Sequence, residues 1–178
     1  MKTDSNPLDK LKNLKSAGER IETRQGSQSF FAGKILIMGL PGAGKTTLAQ
    51  VLVPRLKAVH FNADAVRQNL NKELGFSLED RLEQARRMGW LCDRVTEAGH
   101  IAVADFVCPT PQTRKAFGPA FVVWVDRIDE GRFADTNRVF VPPQHYHVRV
   151  TREGSPEFWA ERAHSCFELW LRDRPQPS

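Results

Sequence analysis

An apolar run, Ile35-Leu36-Ile37-Met38, breaks into Gly39-Leu40-Pro41-Gly42-Ala43-Gly44-Lys45-Thr46-Thr47 and resumes as Leu48-Ala49-Gln50-Val51-Leu52. Few patterns constrain a fold more tightly, because strand, glycine-rich turn and helix must succeed one another at the spacing G-x-x-x-x-G-K-[ST]. The glycines let the backbone bend so that successive N–H groups point inward, and the N-terminus of the next helix adds a positive field. Such a turn cradles the phosphates of a nucleotide di- or triphosphate. Lys45 is placed to bridge the β- and γ-phosphates, the Thr46 hydroxyl to ligate Mg²⁺, and Thr47 to donate to the α-phosphate.

A chain of 178 residues is enough for one domain with its own core and too short for two. Its 40% hydrophobic and 26% charged content describe an ordinary globule. The net charge of +5 suits either nucleic acid or a pocket for polyanionic nucleotides. No lysine/arginine run with interleaved aromatics is present, so a small nucleotide is the expected partner and nucleic acid is not. Cys92, Cys108 and Cys166 form no C-x-x-C pair and read as reduced thiols. The first residues lack the apolar core of a signal peptide and no run approaches transmembrane length, which excludes a membrane role and makes the cytoplasm the expected compartment.

Residues 1–29 form a polar leader in which Leu8, Leu11 and Leu14 have helical spacing, so it reads either as a short amphipathic helix or as a loosely ordered segment. The domain proper spans 30–178, with Phe30-Phe31 packing beside the first strand. The helix after the P-loop is expected to stop before Pro54. Further strand signals stand at Ala58-Val59-His60-Phe61, Ile101-Ala102-Val103-Ala104, Phe121-Val122-Val123-Trp124-Val125 and Tyr146-His147-Val148-Arg149-Val150. Helices are expected from Asp64 to about Leu74, from Ser77 to Gly99 with Leu78, Leu82, Ala85, Cys92 and Val95 on its apolar face, near Thr113 to Phe117, and from Pro156 to Leu171 with Phe158, Trp159, Ala163, Phe167, Trp170 and Leu171 packing. Residues 126–144 are charged and punctuated by glycine and proline, as in an active-site lid. The alternation implies an α/β, P-loop NTPase-type three-layer sandwich with a five-stranded parallel sheet. Its carboxyl edge collects the P-loop, Asp64, Asp105 and Asp126.

Phosphoryl transfer needs a phosphate cradle, a metal, a group that orients the attacking oxygen, and cations for the transferred charge. Asp64, after the second strand and three residues before Arg67, is placed to accept a hydroxyl proton or hold a metal-bound water, unless it merely caps the helix. Asp105, ending a run of four apolar residues, is the second acid, placed to present a carboxylate to Mg²⁺, unless it is a loop aspartate that caps nearby backbone. Arg81 near the start of the long helix can reach substrate, whereas Arg86 and Arg87 lie further down. Arg127, Arg132 and Arg138 with Phe133 and Phe140 suit a cationic, aromatic cover. No histidine has metal-ligand spacing, no histidine stands close in sequence to Cys108, and Asn71-Lys72-Glu73-Leu74 lacks the aspartate of a guanine-binding N-K-x-D.

Asp64-Ala65-Val66-Arg67, Leu70-Asn71-Lys72-Glu73-Leu74-Gly75-Phe76-Ser77 and Asp80-Arg81-Leu82-Glu83-Gln84-Ala85-Arg86-Arg87 closely resemble the adenylyl-sulfate kinase patterns D-G-D-N-V-R, L-N-x-x-L-G-F-S and D-R-x-E-N-I-R-R. The resemblance covers roughly 35–117. It implies that ATP, bound by Gly39, Leu40, Pro41, Gly42, Ala43, Gly44, Lys45, Thr46 and Thr47, phosphorylates the 3′-hydroxyl of adenosine 5′-phosphosulfate, with Mg²⁺. Asp64 resembles the catalytic aspartate, Arg67 and Arg81 the phosphosulfate-binding arginines, Phe76 the aromatic that stacks on adenine, and Phe140 the second stacking aromatic. The family is often dimeric, which leaves a homodimer open.

The departures are specific. The first acid of D-G-D is Asn62, the substrate-binding asparagine is Gln84, and S-F-I-S-P has become Asp105-Phe106-Val107-Cys108-Pro109. The family's lysine-rich lid with D-P-K-G-L-Y is replaced by Asp126-Arg127-Ile128-Asp129-Glu130-Gly131-Arg132-Phe133-Ala134-Asp135-Thr136-Asn137-Arg138-Val139-Phe140-Val141-Pro142-Pro143. The alternatives are a kinase of another small hydroxylated acceptor and a nucleotide-binding module that uses ATP without turnover.

Overall fold

The computed structural model describes residues 32–174; the expected leader helix and the packing of Phe30-Phe31 lie outside them. Five apolar runs set the frame: Gly33–Met38 is β1, Val59–Asn62 β2, Ile101–Asp105 β3, Phe121–Val125 β4 and Val148–Val150 β5. All neighbours pair in parallel, in the order β2-β3-β1-β4-β5. Parallel strands need crossovers, and here these carry α1 (Lys45–Leu56), α2 (Ala63–Asn69), α3 (Leu78–Glu97), α4 (Pro111–Phe117) and α5 (Ala134–Val139), while α6 (Pro156–Arg172) follows β5.

Helices cover both faces of the sheet, so β1 is buried at all six positions and is apolar almost throughout instead of alternating. Ile35, Ile37, Val123 and Phe121 pack against Leu48, Leu52 and Phe167 on the side of α1 and α6. Leu36, Met38 and Ala104 pack against Ala85, Met88 and Phe117 on the side of α3 and α4. This is the expected three-layer sandwich with a five-stranded parallel sheet. Among the described residues no helix is long and apolar enough to cross a membrane.

Several boundaries differ from expectation. Helix α1 runs through Pro54 to Leu56, because the missing N–H of a proline in the last turn deprives only the exposed Gln50 carbonyl of its partner. Lys57, at φ 50°, then closes the helix by returning its N–H toward the Pro54 and Val53 carbonyls. Helix α2 stops at Asn69, well before Leu74: the N–H groups of Leu70 and Asn71 both turn back to the Val66 carbonyl, at 2.8 and 3.1 Å. Strand β5 keeps only three residues, since the His147 ring accepts the Val122 N–H at 2.9 Å where a strand carbonyl was expected.

Leu78 and Phe158, expected on packing faces, stand exposed in the first turns of α3 and α6. The buried stripe of α3 is Gln84, Ala85, Met88, Gly89 and Cys92. The segment expected to be an irregular lid contains α5. The chain runs from β1 outward to β2 and then turns back through β3 to β4, so the connections leaving the neighbouring strands β1 and β3 diverge toward opposite edges of the sheet and a crevice opens at their carboxyl ends, where ligands bind in such folds.

Candidate active site

Gly44 precedes α1 at φ +99°, a conformation that a side chain would strain, and it aims the first N–H groups of the helix into the loop. Lys45 Nζ donates to the Leu40 carbonyl at 2.8 Å. Burial brings its pKa down to about 8, against the opposing pull of Asp105 and Asp64, and Arg132 lowers it further.

At the β2–β3 edge a hydrogen-bonded hub forms around Asp105, whose residue is only 2% exposed. Thr46 Oγ1 donates to its Oδ2 at 2.6 Å, His60 Nε2 lies 2.9 Å from Oδ1, and Asn62 Nδ2 reaches both oxygens at 3.1 and 3.2 Å. Burial alone would raise the pKa of this carboxyl; the bonds from His60 and Thr46, the His60 charge and the Asn62 bond together outweigh it and hold it below the usual carboxylate range. Thr46 Oγ1 and the Asp105 carboxylate are hard oxygen donors side by side. Among the described residues no group of three His, Cys, Asp or Glu could hold a metal ion. A site with few protein ligands fits Mg²⁺, which keeps waters and substrate phosphates in its shell.

Asn62 is also the N-cap of α2: its Oδ1 accepts the Ala65 N–H at 3.0 Å. The capping role open to Asp64 therefore falls to Asn62, and Asp64 stands exposed in the first turn with its carboxylate free of that duty. Its field acts on both Lys45 and Arg67.

A cavity of about 730 Å³ joins these groups. Its walls include Pro41, Gly42, Gly44, Lys45, Thr46, Thr47, Asp64 and Asp105 on one side and Arg67, Phe76, Arg81 and Gln84 on the other, with Arg132, Phe133, Asp135 and Thr136 from the segment after β4. Arg67 lies 4.7 Å from the Phe76 ring centroid and donates to the Leu74 and Gly75 carbonyls at 2.9 and 2.6 Å. Arg81 lies 5.6 Å from the same ring and donates to the Phe76 carbonyl at 2.9 Å. Phe76 itself is 65% exposed, an aromatic face held between two guanidiniums.

Three expected residues are placed otherwise. Phe140 is half-buried against the cluster containing Phe106 and Phe117 and is not in the cavity wall; of the two aromatics expected in a cover, the one that lines the cavity is Phe133, 58% exposed. Gln84 borders the cavity, but its amide is engaged within the protein, accepting from Asn71 at 2.9 Å and donating to the Ala63 carbonyl at 3.3 Å. The longer side chain thus ties the start of α2 to α3. Asp126 pairs with Arg149 at 2.5 Å, outside the cavity wall. Arg86 pairs with Glu83, and Arg87 with Glu83 and Glu73, so both are structural. Cys108 is buried at φ 46°, and burial pushes its thiol up to about 12, which fits the reading that it is no nucleophile.

The roof of the cavity is fastened to the loop after β3. Arg114 Nη1 donates to the carbonyls of Cys108 and Val141, both at 3.1 Å, and the Val141 N–H donates to the Pro109 carbonyl at 2.8 Å. His60 joins the hub without any motif to announce it, although strand alternation places it on the same face as Asn62.

The family model described as adenylylsulphate kinase matches residues 32–122, half of the chain. The chain belongs to the adenylylsulphate kinase family. The adenylyl-sulfate kinase of Gloeothece citriformis is 37% identical over 86 residues, which are 46% of this chain and 49% of that protein. That of Oceanobacillus iheyensis is 36% identical over 96 residues, 51% of this chain and 48% of that protein. The chain thus spans about half the length of these curated relatives. The APS kinase CysC of Mycobacterium tuberculosis, solved in complex with AMPPNP and APS, superposes with a TM-score of 0.66 over 77% of this chain and 98% of that one, at 23% identity, and shares the fold. The family match contains the P-loop, the Asp105 hub and the Phe76 face, and ends before residues 126–144.

Proposed function

We propose that this chain transfers the γ-phosphoryl group of ATP to the 3′-hydroxyl of adenosine 5′-phosphosulfate, giving 3′-phosphoadenosine 5′-phosphosulfate and ADP. The observation that carries this reading is one cavity that joins a P-loop to an aromatic face flanked by two guanidiniums, with Asp64 within electrostatic reach of the cations on both sides. A planar base would stack on Phe76, and Arg67 and Arg81 would meet the anionic phosphosulfate. The family relationship and the relatives' names support the same acceptor.

In this reading the P-loop amides and Lys45 hold the triphosphate in line with the acceptor. Asp64 orients the attacking hydroxyl and takes its proton. Thr46 Oγ1 and Asp105 would hold Mg²⁺, which when bound would supply neutralisation of the phosphate charge. Residues 126–144 serve as the lid, and Phe133 faces the nucleotide from above.

The test is transfer of labelled γ-phosphate to adenosine 5′-phosphosulfate in the presence of Mg²⁺, for the wild type beside Asp64→Asn. Label at the 3′ position is expected, with the variant slower by about 10² to 10⁴-fold. ATP binding without that product would remove this acceptor. A second reading, a kinase of another hydroxylated acceptor, draws on Asp135, which pairs with Arg81 at 3.2 Å and would offset part of the positive charge meant for a phosphosulfate. A panel of less anionic acceptors in the same assay separates the two.

A further inference from the structure

Residues 126–147 lie beyond the family match, yet side-chain geometry ties them closely to the P-loop. Asn137, on α5, turns its amide back on Gly131: the Gly131 N–H donates to Oδ1 at 2.9 Å, and Nδ2 donates to the Gly131 carbonyl at 3.0 Å. Two opposed bonds from one planar amide fix both the position and the plane of that backbone segment. Gly131 is pressed onto the P-loop at the same time, for a Cβ there would lie 2.9 Å from Pro41 Cδ and 3.1 Å from the Pro41 carbonyl oxygen. The next residue, Arg132, is thereby carried over the loop, its Nε 3.3 Å from where a Cβ of Gly42 would stand. Asp135 and Thr136 accept from Arg81 Nη2 at 3.2 and 3.1 Å, which fastens α5 on the acceptor side as well.

We propose that Asn137 is a positioning residue: by bracketing Gly131 it holds the Arg132 guanidinium over the P-loop, where that group meets the terminal phosphate of a bound nucleoside triphosphate. A guanidinium presents its donors in a fixed fork that matches phosphate oxygens, so its orientation matters more than that of a lysine. Lys45 and Arg132 both line the cavity beside the P-loop, which places two cations at the same end of the cradle. A group with the charge of a third phosphate relieves their repulsion better than one ending at the second. The inference rests on the nucleotide-binding part of the proposed function and is independent of the acceptor.

Calorimetric titration of the full chain with Mg·ATP and with Mg·ADP, without acceptor, tests it. In Arg132→Gln the ratio of ATP to ADP affinity is expected to fall about tenfold. Asn137→Ala should reproduce that fall, and the double variant should add nothing to it. Gly131→Ala, whose Cβ would press on Pro41 and on the Asn137 amide oxygen, disturbs the same bracket from the backbone side and should lower the ratio too; it decides the matter with Arg132→Gln if Asn137→Ala melts early. A purely structural role for Asn137 would weaken both nucleotides alike, and an unmoved ratio or an additive double variant overturns the assignment. A wild type that binds neither nucleotide overturns the P-loop reading itself, whereas one that binds ATP with ratios unmoved overturns only the roles of Asn137 and Arg132.

Discussion

Asn62 and Asp105 are partners twice over: their Cα positions pair across β2 and β3, and Asn62 Nδ2 bonds both carboxylate oxygens of Asp105, at 3.1 and 3.2 Å. Where the family pattern has an acid on β2 and a serine on β3, this chain has an amide and an acid. Asn62→Asp alone places two carboxylates about 3 Å apart and is expected to lower stability by about 1–3 kcal/mol. Asp105→Asn alone removes the charged acceptor of Thr46 and His60, and Mg·ATP affinity should fall about tenfold. The double substitution returns one acid to the edge and should recover much of both losses. Chemical denaturation and Mg·ATP titration of the four proteins give the coupling energy, and strictly additive effects would show that the two positions act independently.

Lys45 sets a basic limit on nucleotide capture. Its pKa of about 8 means that it is charged below that pH and neutral above it. The kcat/KM for ATP, which reports the free enzyme, should therefore decline as pH rises through about 8. Since Arg132 lowers this pKa, Arg132→Gln should move the limb to higher pH. A pH profile flat well beyond this range would rule out Lys45 as its source.

Phe133 and Phe140 should fail in different ways. Phe133→Ala takes an exposed ring from the cavity wall, so the KM for the acceptor should rise about tenfold with the melting temperature unmoved. Phe140→Ala takes a half-buried ring from the core and should lower stability by about 1–3 kcal/mol with a smaller change in KM. Thermal melts beside steady-state kinetics distinguish the two, and the opposite assignment of effects would return the stacking role to Phe140.

His147 makes the β4–β5 edge sensitive to acid. Its ring stacks on Phe121, with centroids 4.6 Å apart, meets the Trp170 edge, and takes the Val122 N–H on Nδ1, which needs a lone pair there. Burial, and then the charge of Arg174, hold its pKa below the ordinary value. The unfolded chain therefore binds the proton first: the contribution is complete above about pH 6.5 and is lost as pH falls through the lower folded pKa. Melting temperatures from neutral to mildly acidic pH should drop less steeply for His147→Gln than for the wild type. Equal slopes would assign the acid sensitivity elsewhere.

The P-loop is legible in the sequence because a phosphate cradle demands glycine at fixed offsets, and β3 because a strand buried on both faces leaves an unbroken apolar run. Asp105 is legible from its place at a strand end. His60 is written in the same alternation, two residues before Asn62, but a histidine on a short half-buried strand carries no signature of its own. The role of Gln84 is not legible, since only the turn that brings Asn71 beside it shows that its amide is engaged within the protein. The end of α2 escapes for a similar reason: helix propensity runs on through Leu70-Asn71-Lys72-Glu73, while two N–H groups share the Val66 carbonyl and break the pattern. In residues 126–144 aromatic composition gives Phe133 and Phe140 equal standing, and only the path of the chain past Gly131 separates them.

Arg114 leaves the roof of the cavity secured at both margins, by its bonds to Cys108 and Val141 on one side and by the contact of Gly131 with Pro41 on the other. A cover attached along one margin swings open by degrees; a cover attached along two must release several bonds together. Traffic through this cavity is then expected to follow an all-or-none opening that releases both sets of contacts together. For the proposed reaction this predicts that departure of spent nucleotide is slower than the making of the new bond, which would appear as a burst of product in the first turnover.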